Sequence, residues 1–128
     1  MLDCPADPNR PQPASRQRIA PRELARLIEA LVASVFSVAE ADLLAPSRGR
    51  AKIALARQVA MYLARVVGRL RFDEVAIVFG RDRSTVRHAC HVVEDRRDDP
   101  EFNLTLDHLE SIIKRVSLMM SRPRVARC

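Results

Sequence analysis

The sequence predicts an all-α fold, a helical bundle built around a helix-turn-helix, and three observations lead there. Apolar residues make up 48% of the 128 residues but aromatic ones only 4%, with no Trp, so the core must come from Leu, Val, Ile and Ala. The chain holds just three glycines, a composition that suits packed helices better than sheet. From residue 21 onward apolar positions recur three and four apart, the period of one helical face. A lone glycine, Gly80, separates two short stretches of that pattern.

The length is that of one domain. Residues 1–20 carry Pro5, Pro8, Pro11 and Pro13 among polar residues; too little apolar area is present to offset ordering, and a disordered tail is expected. The domain is expected over 21–120, with 121–128 as a flexible basic tail. Pro21 suits a first helical turn, where its missing N–H costs nothing. Leu24, Leu27, Ile28, Leu31, Val32 and Val35 then form the apolar face of a first helix. A short second helix is expected from Ala39 to Leu44, stopped by Pro46. After the basic loop Ser47-Arg48-Gly49-Arg50, a long helix runs to about Val67. Its core stripe is read as Leu55, Val59, Leu63, Val66 and Leu70, with Arg57 and Arg65 pointing away from it. Gly68 stands where a C-terminal cap would turn the chain.

Phe72 to Phe79 reads as a short helix packing through Phe72, Val75, Ala76 and Phe79. Gly80 can take the positive φ of a tight inter-helix turn. Asp82 is placed to cap the next helix by accepting from the N–H groups of Ser84 and Thr85. That helix buries Val86, Ala89, Cys90 and Val93 and shows Arg83, Ser84, Arg87, His88 and His91. The chain turns near Pro100, and Phe102, Leu106, Leu109, Ile113, Val116 and Met120 mark a last helix.

Charge is unevenly placed along this order. The net charge is +6, and the segment 48–91 alone carries ten basic residues against Asp73, Glu74 and Asp82. The segment 92–110 is acidic, with Arg96 and Arg97 against seven carboxylates from Glu94 to Glu110. One stretch is suited to meet a polyanion, and its neighbour is not. Cys4, Cys90 and Cys128 are odd in number and form no CxxC, which predicts reduced thiols in a cytosol. No signal-like N-terminus and no apolar run near ~18 residues is seen, so a soluble, cytoplasmic, nucleoid-associated chain without membrane contact is expected.

Two short helices joined by a tight glycine turn, the second opening with small polar and basic residues, form a geometry that reads DNA. Short side chains let the second helix's first turn approach base edges in the major groove. Its free N–H groups favour phosphate oxygens, and Arg81 and Arg83 strengthen that field. The run Phe79-Gly80-Arg81-Asp82-Arg83-Ser84-Thr85-Val86-Arg87-His88-Ala89-Cys90 resembles the signature of the C-terminal DNA-binding domain of the bacterial replication initiator DnaA, roughly FGGRDHTTVxHAC. The resemblance extends upstream through Ala41-Asp42-Leu43-Leu44, the basic loop, Ala56-Arg57-Gln58-Val59-Ala60-Met61-Tyr62-Leu63 and Glu74-Val75, and covers roughly residues 24–117.

The resemblance implies helices around a helix-turn-helix of the Trp-repressor-like kind, and recognition of short duplex sites called DnaA boxes. It implies that Asp82, Arg83, Ser84 and Thr85 meet bases. Arg57, Gln58 and Arg81 would grip phosphates, and Arg48 and Arg50 would reach the minor groove. Arg87 joins the base-facing set on its place in the helix; Lys52 and His88 join the backbone-facing one. Against the family string, the turn lacks its second glycine. Arg83 stands for a histidine, a bidentate donor suited to guanine in place of an apolar contact with thymine. Ser84 stands for a threonine, and His91 and Val92 for basic residues.

The functional expectation is a sequence-specific double-stranded DNA binder acting on transcription or replication initiation. No G-x-x-x-x-G-K-S/T occurs, so no nucleotide and no ATPase chemistry is expected. No catalytic constellation and no cofactor are expected. His88, Cys90 and His91 lack a fourth ligand for zinc. The alternative is a protein-interaction module on the same fold, with a partner or a second copy bound through the first helix or the acidic 94–110 segment.

Overall fold

The computed structural model describes residues 19–44 and 51–121. The expected tails, apart from their innermost residues, and the basic loop with Arg48 and Arg50 lie outside the described residues. Six helices follow one another: α1 (Pro21–Phe36), α2 (Glu40–Leu44), α3 (Ala51–Val66), α4 (Phe72–Phe79), α5 (Arg83–Arg96) and α6 (Pro100–Met120). No helix among the described residues is long and apolar enough to cross a membrane.

Helix α1 starts with Pro21 in its first turn and stops where Ser37 takes a left-handed φ of 56°. There the Val38 N–H returns to the Ala33 carbonyl at 3.0 Å, closing the orphaned helix end. Leu24, Ala25, Ile28, Val32 and Ala33 are buried. Val35, expected in that face, is 47% exposed, because it falls in the last turn, where the covering elements stop. Glu29 is also buried, and burial followed by the nearby Glu40 carboxylate raises its pKa, favouring the neutral acid.

Helix α3 is the central strut, packed against α1, α2, α4 and α5. That explains why Ala56, Val59, Ala60, Met61, Tyr62, Leu63 and Ala64 are all buried: with neighbours on several sides, no single stripe suffices. The three buried alanines, Ala56, Ala60 and Ala64, let those neighbours approach closely. Two expectations are corrected here. Val66 is 47% exposed, since α3 ends with that side chain turned off the bundle. Arg57, expected to point outward, is only 8% exposed.

The turn after α3 differs from expectation too. The left-handed residue is Arg69, at φ 57°, not Gly68. Gly68 is small for another reason: a Cβ there would lie 2.6 Å from the Ala64 carbonyl oxygen and 2.7 Å from Leu24 Cδ2. Glycine at this site permits the close approach of α1 to the end of α3.

Helices α4 and α5 form the helix-turn-helix, α4 over the expected Phe72–Phe79 and α5 opening after Asp82 as expected. Gly80 takes φ 63°, its N–H reaches the Ile77 carbonyl at 3.3 Å, and the Arg81 N–H reaches Ala76 at 2.9 Å. This paired closure ends α4 and redirects the chain within three residues. No atom crowds a Cβ at Gly80, so it is the left-handed φ, not a lack of space, that favours glycine there. Val86, Ala89 and Val93 bury one face of α5, with Cys90 half-buried beside them. After Arg97, Asp99 accepts from the Glu101 N–H at 3.3 Å and starts α6. Leu106, Leu109 and Ile113 complete the core, while Val116 is half-buried and Met120 exposed.

Candidate nucleic-acid interface

The first turn of α5 stands clear of the fold. Asp82, Arg83, Ser84 and Thr85 are all exposed, and Val86 directly after them is fully buried. This contrast holds the helix end rigidly while presenting its polar residues. Asp82 occupies the N-cap position in extended conformation, but its carboxylate makes no cap bond, contrary to expectation. The first N–H groups of a helix have no partner within it, so they remain available to an external acceptor. The carboxylate itself stays exposed as an acceptor.

Further along, Arg87, His88 and His91 are exposed on the outer side of α5. The Arg87 guanidinium lies over the Phe72 ring, 5.2 Å from its centroid. Arg65 of α3 lies over the same ring at 4.5 Å. A single aromatic at the start of α4 thus gathers cations from α3 and α5. Reading the sequence did not single out Arg65 or Phe72 for this site. Nothing local could have, because the ring and its two cations come from three different helices. The buried Nε of Arg65 has no hydrogen-bond partner among the described residues.

The remaining expected residues scatter in character. Lys52 is exposed in the first turn of α3, and Gln58 and Arg81 are half-buried. Arg57 points inward: its Nε donates to the Leu43 carbonyl at 2.9 Å and its Nη2 to the Asp42 carbonyl at 2.8 Å. Burial lowers its pKa, the nearby charge of Arg81 adds to that, and Asp42 opposes it.

The far end of α5 is built differently. Arg97 donates from Nε to Asn103 Oδ1 at 2.6 Å and from Nη1 to Glu110 Oε2 at 2.6 Å. Nη1 also reaches the Tyr62 hydroxyl at 3.1 Å, and Nη2 reaches Asp107 Oδ1 at 2.5 Å. Tyr62 in turn donates to Glu94 Oε2 at 2.8 Å. Burial, then the bond to Glu94, raises the Tyr62 pKa to about 12, with Arg97 opposing. Part of the acidic segment is therefore consumed inside the molecule, while Asp95, Asp98 and Asp99 are exposed.

Two helices across a three-residue turn, the second with an exposed polar first turn, define a helix-turn-helix protein. Comparison with known proteins agrees and is more specific. The family described as "Bacterial dnaA protein helix-turn-helix" matches residues 25–93, and the chain belongs to that family. It is 40% identical over 89 residues to the chromosomal replication initiator protein DnaA of Bordetella pertussis, covering 68% of this chain and 19% of that protein. It is 39% identical over 85 residues to DnaA of Lachnoclostridium phytofermentans, covering 65% and 18%. The chain thus spans about a fifth of the length of these curated relatives.

Solved structures align as well. A DNA replication initiation factor superposes with a TM-score of 0.68 at 31% identity, over 76% of this chain and 30% of that one. A replication initiator DnaA bound to AMPPCP and single-stranded DNA gives 0.66 at 30%, over 74% and 29%.

Proposed function

We propose that this chain binds double-stranded DNA in a sequence-specific way and regulates replication initiation or transcription through sites resembling DnaA boxes. The observation that carries the reading is the exposed, uncapped polar turn Asp82-Arg83-Ser84-Thr85, seated on the fully buried Val86. A helix end of that kind fits the major groove. Its short Ser84 and Thr85 allow close approach, and its open N–H groups and flanking arginines favour the phosphates beside it.

In this reading Asp82, Arg83, Ser84 and Thr85 meet base edges. Arg81, Gln58, Lys52 and His88 serve the backbone, and Arg48 and Arg50 the minor groove. Arg87, drawn over Phe72 beside Arg65, serves a phosphate on the flank of α5 better than a base edge. Arg83 is a two-pronged donor matched to the O6 and N7 of guanine. The preferred site therefore carries a guanine that an initiator box need not have. The protein acts at the chromosome, in the cytoplasm, and needs no nucleotide to bind.

The competing reading, a protein-interaction module, loses support from two sides. Glu94, Asp107 and Glu110 are tied to Tyr62 and Arg97, and the apolar face of α1 is buried within the chain. Selection from a random duplex library, with an initiator-box duplex in parallel, tests the choice. A strong enriched motif is expected; a pool that stays random after repeated rounds would overturn the reading.

A further inference from the structure

We infer that Arg57 is a positioning residue of this interface, one that fastens the end of α2 to α3 beside the recognition turn without itself touching DNA. The inference rests on the DNA-binding reading above, and it departs from the phosphate-gripping role that the sequence resemblance implies for this arginine.

The geometry is specific. An arginine that grips a phosphate must present its fork to solvent before DNA arrives. Arg57 is 8% exposed, and its Nε and one terminal nitrogen are already committed to the carbonyls of Leu43 and Asp42. Those carbonyls belong to the last turn of α2, where a helix leaves its acceptors orphaned and a cation is favoured. Helix α2 has only five residues, far below the length at which a helix sustains itself in water. It depends on tertiary contacts, and Arg57 supplies two charge-assisted ones at its weak end.

Position explains why this matters for recognition. The clamp fixes the point at Leu44 from which the chain continues. Helix α3, which carries Arg57, packs against both α2 and α5, and the charge of Arg81, in the turn between α4 and α5, is felt at the guanidinium. Through α3 the clamp therefore references the end of α2 to the recognition helix. Arginine is required because a fork can serve two adjacent carbonyls at once, and a lysine ammonium on a flexible stem does not hold that planar geometry.

Arg57→Lys and Arg57→Gln, in the full chain, test this by two readouts. The first is hydrogen exchange of the free protein: protection should fall across residues 40–44 while the amides of α5 keep theirs. The second is the salt dependence of binding to the selected duplex. Affinity should drop about fivefold or more in both variants, with the slope of log K against log salt unchanged. A true phosphate contact would instead lower that slope by about 0.9 in Arg57→Gln and leave Arg57→Lys close to wild type. That result, or unaltered exchange over α2, overturns the inference. If the wild-type chain selects no duplex, the DNA-binding reading fails, and the exchange result still reports on the clamp.

Discussion

The two ends of α5 have opposite chemistry. At its carboxyl end Arg97, Tyr62, Glu94, Asn103, Asp107 and Glu110 form one connected set of hydrogen bonds and ion pairs joining α3, α5 and α6. At its amino end Asp82, Arg83, Ser84 and Thr85 are exposed, and the cap carboxylate makes no cap bond. Polar groups satisfied within a fold contribute to its stability; polar groups left open remain available to water or to a partner. One helix thus carries a stabilising end and an open end, the one proposed above to read DNA, and the buried run Val86, Ala89 and Val93 separates them.

The largest effect expected from breaking this contrast is at Arg97. Its side chain is only 15% exposed and meets two carboxylates. Arg97→Ala should cost about 2–4 kcal/mol of stability, because Glu110 and the Tyr62 hydroxyl lose a partner where water replaces it poorly. Chemical denaturation measures that cost. Below the melting range, the affinity of the variant for the selected duplex should stay within a few-fold of wild type. A large loss of affinity without loss of stability would mean the two ends are not separate.

The same network gives an alkaline signature. The Tyr62 pKa of about 12 in the fold exceeds that of an unfolded tyrosine, about 10. Its contribution is therefore fully present below pH ~10 and lost as pH rises from there through the folded value, because the unfolded chain releases the proton first. The fall amounts to about 2–3 kcal/mol. Tyr62→Phe should flatten the stability profile between pH ~10 and ~12, which melting curves across that range would reveal.

The amino end should respond in the reverse sense. Arg83→Ala or Thr85→Ala should weaken binding by about 1–3 kcal/mol and relax the preference at one base pair. Stability should move by no more than about 0.5 kcal/mol. Repeating the selection with each variant identifies which position blurs. The smallest effect is expected for Asp82→Ala on stability. An engaged cap loses about 1 kcal/mol on such a change, but this carboxylate makes no cap bond, so less than about 0.5 kcal/mol is expected. A loss near the usual cap value would show that the side chain does cap in solution.

Much of this arrangement was legible beforehand. The span of α4, the start of α5, the left-handed Gly80 and the outward set Arg83, Ser84, Arg87, His88 and His91 all follow from local rules of period and turn chemistry. Other features were misread for one recurring reason. Arg57 and Arg65 stand two turns apart on α3 with similar neighbours, and the sequence offers no sign of which is buried. One meets the carbonyls of α2 and the other the ring of Phe72, each brought from elsewhere in the chain. The left-handed turn position expected at Gly68 fell to Arg69, while Gly68 is small because Ala64 and Leu24 leave no room for a Cβ. Arg97, in a run of like-looking charges, became a hub because Tyr62 and Glu110 converge on it from two other helices.

Periodicity, glycine placement and the polar opening of α5 are properties of neighbouring residues, so the amino-acid order suffices to specify the helix-turn-helix and its outward-facing end. Which charged side chains are spent inside the molecule depends on what lies across from them. Desolvation and pairing are set by groups distant in the chain, so only the packed fold could decide that Arg57 and Arg97 hold the structure together while Arg83 remains exposed.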